Sequence, residues 1–216
     1  MTLNDLLKTF HGGTSSEESI TNEFTELSKK ILYGGHFRIK KPEGTKNIYP
    51  EVIEFYYHEE NGSLKDPIMY HTNLHAPKGT AFPYYKLGRL NLHQSGIDVT
   101  FENETMEYRA SFLIRAYSVD NGEIEKRSTY LYDAMFDMSL PITIEWVPDE
   151  IPNDIKEKTL KGSWRQNVAK YEKEKGSYIK MEATNTDSDE TTFSYNGKKY
   201  VKCTRMWRFE KGEFEQ

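Results

Sequence analysis

The segment Glu51 to His58, EVIEFYYH, places one carboxylate among apolar and aromatic neighbours. Side chains alternate along a strand, so Glu54 shares a face with Val52 and Tyr56, while Ile53, Phe55 and Tyr57 occupy the other. A carboxylate in that setting has two readings: an edge-strand charge facing water, or a partly desolvated group with raised proton affinity that takes a proton from water. Arg115 interrupts the apolar run Ser111 to Tyr117 on the face of Leu113 and Tyr117. A guanidinium there requires an anionic partner, either as a structural ion pair of the sheet or as part of a site. Asp98 lies in Gly96 to Phe101 with Ile97, Val99 and Phe101 on the opposite face, a pattern that also allows it to face solvent.

Other chemistries have no signature. The six histidines (11, 36, 58, 71, 75 and 93) form no HExxH, and His71 and His75 lack the helical context that would turn both rings to one side, so no metal is expected. The phosphate-binding GxxxxGK[ST], the dinucleotide-binding GxGxxG and the hydrolase GxSxG are all missing. Cys203 is the single cysteine, which excludes an intrachain disulfide and a CxxC pair and leads us to expect a reducing, cytoplasmic setting. No apolar run approaches membrane-spanning length, and Met1 to Lys8 carries Asp5 where a secretory signal would be basic and then apolar.

The net charge of −5 argues against a general nucleic-acid coat, but it is unevenly spread. Residues 156 to 211 hold fourteen basic and eight acidic side chains, a net +6, against −11 for the remainder. A basic face around Lys198, Lys199 and Lys202 suits phosphate, against which stand a solvated lysine-rich helix around Lys156 to Lys175 and, for the three lysines, a charged edge strand.

These candidates need a sheet to hold them. With 15 Tyr, 11 Phe and 3 Trp in 216 residues, the core is expected to be aromatic and sheet-based. Period-two runs mark strands at 36–40, 48–58, 96–102, 108–119, 142–147, 177–182, 191–195 and 198–203, with hairpin turns at Asn196-Gly197 and, more weakly, Asn121-Gly122. Ser15 and Glu18 have capping-box spacing before Ile20, Phe24, Leu27 and Ile31, predicting a helix closed by Gly34-Gly35. Residues 3–10 read as a short helical piece on a flexible N-terminal segment, 1–16. Helical spacing also marks 128–138 and 155–175, the latter through Leu160, Trp164, Val168 and Tyr171. Loops are read at 61–65, 76–83 and 185–190. The expected architecture is a single α+β domain over residues 1–216, a curved, mostly antiparallel sheet with helices packed outside it.

The order of segments adds a resemblance. Glu26 to Gly34 (ELSKKILYG), Val52 to Tyr56 (VIEFY), a loop ending in His71, Phe82 to Gly88 (FPYYKLG), Phe112 to Ala116 (FLIRA) and the closing Arg205 to Phe209 (RMWRF) resemble, collinearly, the alkyladenine (3-methyladenine) DNA glycosylase family, with its "VETEAYLG" and "VLLRALEP" strands. The resemblance implies hydrolysis of the N-glycosidic bond of an alkylated purine flipped out of duplex DNA, as in base-excision repair, without metal or cofactor. It implies Glu54 as the base that activates water, Arg115 as its support, and Tyr56, His71 and Tyr84 as the side chains around the extruded base. Leu87 stands where the family's wedge tyrosine would be, an apolar side chain able to unstack a base step. Asp98 stands near the family's asparagine that screens exocyclic groups. A catalytically silent nucleobase- or nucleic-acid-binding protein on the same scaffold is the alternative expectation. A third reading is a structural domain whose tyrosines fill a sheet core.

Overall fold

Alternation of apolar and polar residues runs longest in two segments, and these form the middle of the fold: β2 (Gly44–Glu59) and β5 (Tyr108–Val119), antiparallel neighbours from Ile48↔Val119 to Glu59↔Tyr108. The computed structural model describes residues 1–13, 16–66, 69, 71–73, 76–136, 143–151, 155, 160–163, 165, 169–172, 177–180, 192–195, 198–201 and 205–212. The helices are α1 (Leu3–Leu7), α2 (Glu17–Tyr33) and the short α3 (Leu131–Met135). The other strands are β1 (Gly35–Lys41), β3 (Leu90–His93), β4 (Gly96–Thr100), β6 (Ile124–Glu125), β7 (Thr143–Pro148), β8 (Leu160–Ser163), β9 (Ala169–Glu172), β10 (Ser177–Lys180), β11 (Thr192–Tyr195), β12 (Lys198–Val201) and β13 (Arg208–Lys211).

The main sheet runs β3-β4-β5-β2-β1-β7, with β13 pairing both β2 and β8 and with β6 beside β5. Every described pairing is antiparallel, and the sheet curls into a half-barrel. Strands β10-β9-β12-β11 form a second, four-stranded sheet. The fold is the expected α+β arrangement of a curved antiparallel sheet with packed helices.

One face of the main sheet is apolar. Ile53, Phe55 and Tyr57 on β2, Phe112 and Ile114 on β5, Ile97 and Val99 on β4, and Phe209 on β13 are all buried. The stripe Ile20, Phe24, Leu27 and Ile31 of α2 covers them, with Phe24 stacked on Phe55 at 4.3 Å and edge-on to Trp207 at 5.1 Å. Residues 1–13 are not the flexible segment expected. Leu6, Leu7 and Phe10 are buried in the same core, Phe10 stacks on Phe24 at 5.3 Å, and Thr2 and Asp5 close a capping box on α1.

The largest difference from the sequence reading is at 155–175. Its described parts are strands β8 and β9, not a helix, because β8 finds a ready partner in β13 through Leu160↔Lys211 to Ser163↔Arg208. Arg165, which an exposed helix would leave in water, is 1% exposed and bonded to Asp66. Local periodicity yields here to tertiary pairing. The 128–138 helix shrinks to a 3-10 turn (Ser128–Tyr130) and α3, ended by extended backbone at Phe136. The cap of α2 is Ser16, one residue beyond the one expected. The β5–β6 turn centres on Asp120 and Asn121, both at positive φ (49° and 58°), with Gly122 N donating to Val119 O. The turn thus falls one residue earlier than Asn121-Gly122. Strands β11 and β12 pair at Tyr195↔Lys198, as a two-residue hairpin requires, although Asn196 and Gly197 lie outside the described residues. So do Ser15, His75, Met138, Trp164, Val168, Lys202 and the 185–190 loop.

Candidate active site on the polar face of the sheet

The other face of the main sheet carries charge. Glu54 on β2 and Asp98 on β4 both pair with Leu113 on β5, so they share one rung and one face. Tyr56 and Thr100 share the next rung through Ser111, and His58 faces Arg109 on the one after. At about 3.3 Å per residue, the first and third rungs are about 13 Å apart.

Glu54 is fully buried. Its Oε2 lies 2.7 Å from Arg115 Nε and accepts the Tyr56 hydroxyl at 3.0 Å, while Oε1 lies 3.7 Å from Arg208 Nε. The strand register explains how Arg115 arrives there. Val52 pairs with Ala116 and Ile53 with Ile114, an irregularity that leaves Arg115 without a directly opposed residue on β2 and aims it along the face toward Glu54. Arg208 reaches the same carboxylate because β13 pairs Arg208 with Glu54 itself. Burial works against the Arg115 charge, but Tyr56, Glu54 and Asp98 together raise its pKa above the ordinary arginine value. Burial, then the Glu54 charge, pushes the Tyr56 phenol well up, so Tyr56 acts as an O–H donor. Its ring is half-buried under the Arg165 guanidinium at 5.0 Å.

Asp98 does not face solvent: it is 5% exposed, with Ser111 Oγ at 3.5 Å and His93 Nε2 at 3.2 Å from its two oxygens. Glu54, Tyr56, Asp98 and Arg115 therefore form one cluster. His71 and Tyr84 sit further along the same face, around Arg109. The Arg109 side chain is wholly buried; it binds Glu60, meets Glu102 at 3.3 Å, and donates to the carbonyls of Pro83 (2.9 Å) and Phe82 (2.7 Å). Its guanidinium lies 4.2 Å over the Tyr84 ring. Glu102 also accepts Tyr85 N at 2.7 Å and contacts His71 Nε2 at 2.5 Å. The ring beside His71 is Tyr85, tilted by 31° at 5.0 Å, and not Tyr84. Leu87 is half-buried and leans on the hydrophobic core.

Sequence reasoning missed Arg208, Arg109, His93 and the pair Asp66–Arg165. The period-two series Arg109, Ser111, Leu113, Arg115 carried the Arg109 signal, since residues that share a face with Arg115 share its surroundings. Asp66 gave none, because it reaches the face from a loop. Arg165 Nη1 donates to it at 2.7 Å and to Phe55 O at 3.2 Å, with both side chains of the pair fully buried. Burial alone would raise the Asp66 carboxyl; the Arg165 charge and hydrogen bond, with Arg205 and the Tyr57 N–H, outweigh it and hold the pKa below the usual carboxylate value. A depressed carboxylate pKa adds stability that is complete above the unfolded value, about 3.9, and drains away as pH falls from there through the lower folded value. Asp66→Asn should thus lower stability at pH 7 and flatten its decline below about pH 4. Urea unfolding across pH 2–7 checks this, and an unchanged acid slope would contradict it.

Among the described residues no three His, Cys, Asp or Glu side chains gather as a metal site, and no helix is long and apolar enough to cross a membrane. Comparison with protein-family models, curated proteins and solved structures finds no match.

Proposed function

We propose that this protein is a DNA-glycosylase-like hydrolase that releases alkylated purines from duplex DNA by base flipping, water being the nucleophile. The observation that carries this reading is Glu54, buried in contact with Arg115 at 2.7 Å and Tyr56 at 3.0 Å, on the face that also bears Asp98. Breaking a C1′–N bond builds positive charge on the sugar. A carboxylate held by two guanidinium groups faces that charge and accepts the proton of the water as its oxygen bonds to C1′. Arg115 and Tyr56 hold the carboxylate in one orientation, so little reorganisation is needed during reaction. The Tyr56 ring beside Glu54 suits the stacking that an extruded base requires, whereas His71 and Tyr84 lie two rungs away around Arg109 and Glu102. Leu87 contributes to DNA contact from the Phe82–Gly88 loop, and duplex DNA bearing a damaged purine is the partner.

One observation favours the silent-binding alternative. Glu54 is 0% exposed, and a carboxylate so enclosed by arginines also suits a polar core that holds a base without cleaving it. The two readings part on product. Incubation with a duplex carrying a single 7-methylguanine should yield free base and an alkali-labile abasic site; retention of the duplex with its base intact would favour the binding protein.

A further inference from the structure

Asparagine is followed by glycine at 61, 121 and 196, and the first two of these pairs lie within the described residues. Such a pair is chemically weak, because glycine puts no side chain in the way when its backbone nitrogen attacks the carboxamide carbon of the asparagine before it. A fold slows that attack by engaging the nitrogen's proton in a hydrogen bond or by fixing the backbone between the two groups. Both described pairs are exposed, so access of water does not separate them. The state of the backbone nitrogen does.

At Asn121-Gly122 the nitrogen is engaged. Gly122 N donates to Val119 O at 2.8 Å, inside the turn that Asp120 and Asn121 shape with their positive φ, so attack requires that bond and the turn to open first. At Asn61-Gly62 no described group accepts the Gly62 N–H. Only the Asn61 side chain is tied, through Nδ2 donating to Glu107 Oε2 at 2.8 Å, an exposed bond whose partners water readily replaces. Packing keeps glycine at 62. A Cβ there would run into the Glu59 side chain, whose carboxylate accepts Leu64 N at 3.1 Å and the Tyr57 hydroxyl at 3.0 Å. The susceptible pair is therefore a requirement of the turn itself.

We propose that Asn61 is a site of spontaneous succinimide formation, converting in the folded protein to aspartate and isoaspartate well ahead of Asn121. The Gly62 nitrogen gives its proton to solvent and bonds to the Asn61 side-chain carbon. The bond from that carbon to Nδ2 breaks, and the nitrogen takes a proton from solvent and leaves as ammonia. Water then opens the ring, at the side-chain carbonyl to give aspartate or at the main-chain carbonyl to give isoaspartate, so that one water is consumed for each ammonia released. The position gives the product its effect. Asn61 lies just past the end of the β2–β5 ladder, where Glu60 N donates to Glu107 O at 2.8 Å and the Glu60 carboxylate holds Arg109. A carboxylate at 61 exchanges the bond to Glu107 for repulsion, and isoaspartate also lengthens the main chain of the turn by a methylene. Conversion thus loosens the end of the sheet on which the Arg109 cluster is built, whatever the protein acts on.

The test is mass-spectrometric peptide mapping of the full chain during incubation at mildly alkaline pH. Residues 47–65 and 116–126 are separate tryptic peptides, so the two sites are followed independently in one sample, with fragment spectra placing each conversion. Opening one hydrogen bond first should slow Asn121 by about tenfold, so Asn61 should convert about tenfold faster in the native protein. In concentrated guanidinium chloride, where the Gly122 bond is lost, the two rates should draw level. Equal native rates, faster conversion of Asn121, or a native ratio that persists in the denatured chain would each overturn the assignment, the last by tracing the difference to neighbouring residues instead of the fold. Asn61→Asp, which carries the product's charge from the start, should unfold at a lower urea midpoint than the parent at pH 7. A midpoint equal to the parent's would overturn the loosening.

Discussion

Arg109→Met should destabilise the protein by about 3–5 kcal/mol, among the largest effects of any single substitution in it. Arg109 is wholly buried and serves two carboxylates, Glu60 and Glu102, together with the carbonyls of Phe82 and Pro83. Removing it strands two anions in a low-dielectric setting, where an unpaired buried charge costs far more than a paired one contributes. It also releases the segment 82–85 that carries Tyr84 and Tyr85. Methionine keeps most of the stem volume, so the loss reads charge and hydrogen bonding more than packing. Combining Arg109→Met with Glu60→Gln and Glu102→Gln should recover part of the loss, because the stranded charges disappear with it. Urea unfolding at pH 7 measures both. A change below about 1 kcal/mol in the single variant, the range of an exposed pair, would mean the cluster is solvated.

The same cluster shows what a sequence can and cannot tell. Alternation gave Glu54 and Arg115 each a face of its own strand, only the resemblance linked them, and the structure brings them to 2.7 Å. Alternation could not say that Asp98 points inward, since that depends on β3 and His93 covering it. Arg208 belonged to the closing RMWRF segment, but its contact with Glu54 depends on a pairing across more than 150 residues, to which local pattern is blind. The 155–175 stretch failed for a related reason. Leu160 and Tyr171 keep helical spacing, but β8 and β9 find strand partners in β13, β10 and β12, and those partners decide the local structure. His71 and Tyr84 were expected around one base beside Glu54. They instead gather on Arg109 and Glu102, two rungs away, because loops have no period to fix where they dock.

Glu54→Gln carries the largest expected effect on activity. Glutamine keeps the size and one acceptor oxygen, so the Tyr56 hydroxyl retains a partner. It loses the negative charge that faces the developing sugar cation and the basic oxygen that takes the water proton. Base release should fall by about 10²–10⁴-fold, the range of a lost general base. Removing a charge from between Arg115 and Arg208 also leaves two cations facing each other, so the folded state of the variant must be verified by its unfolding midpoint. Duplex affinity should hold or rise slightly, since a negative charge is removed near phosphate.

The most direct measurement compares the parent with Glu54→Gln in single-turnover release of 7-methylguanine from duplex DNA, with duplex binding followed in the same samples. The expected result is release by the parent, release slowed by at least about 10²-fold in the variant, and similar binding by both. Release at equal rates would remove Glu54 from the mechanism. Binding by both proteins without release by either would contradict the hydrolase and leave a protein that holds its nucleic acid intact.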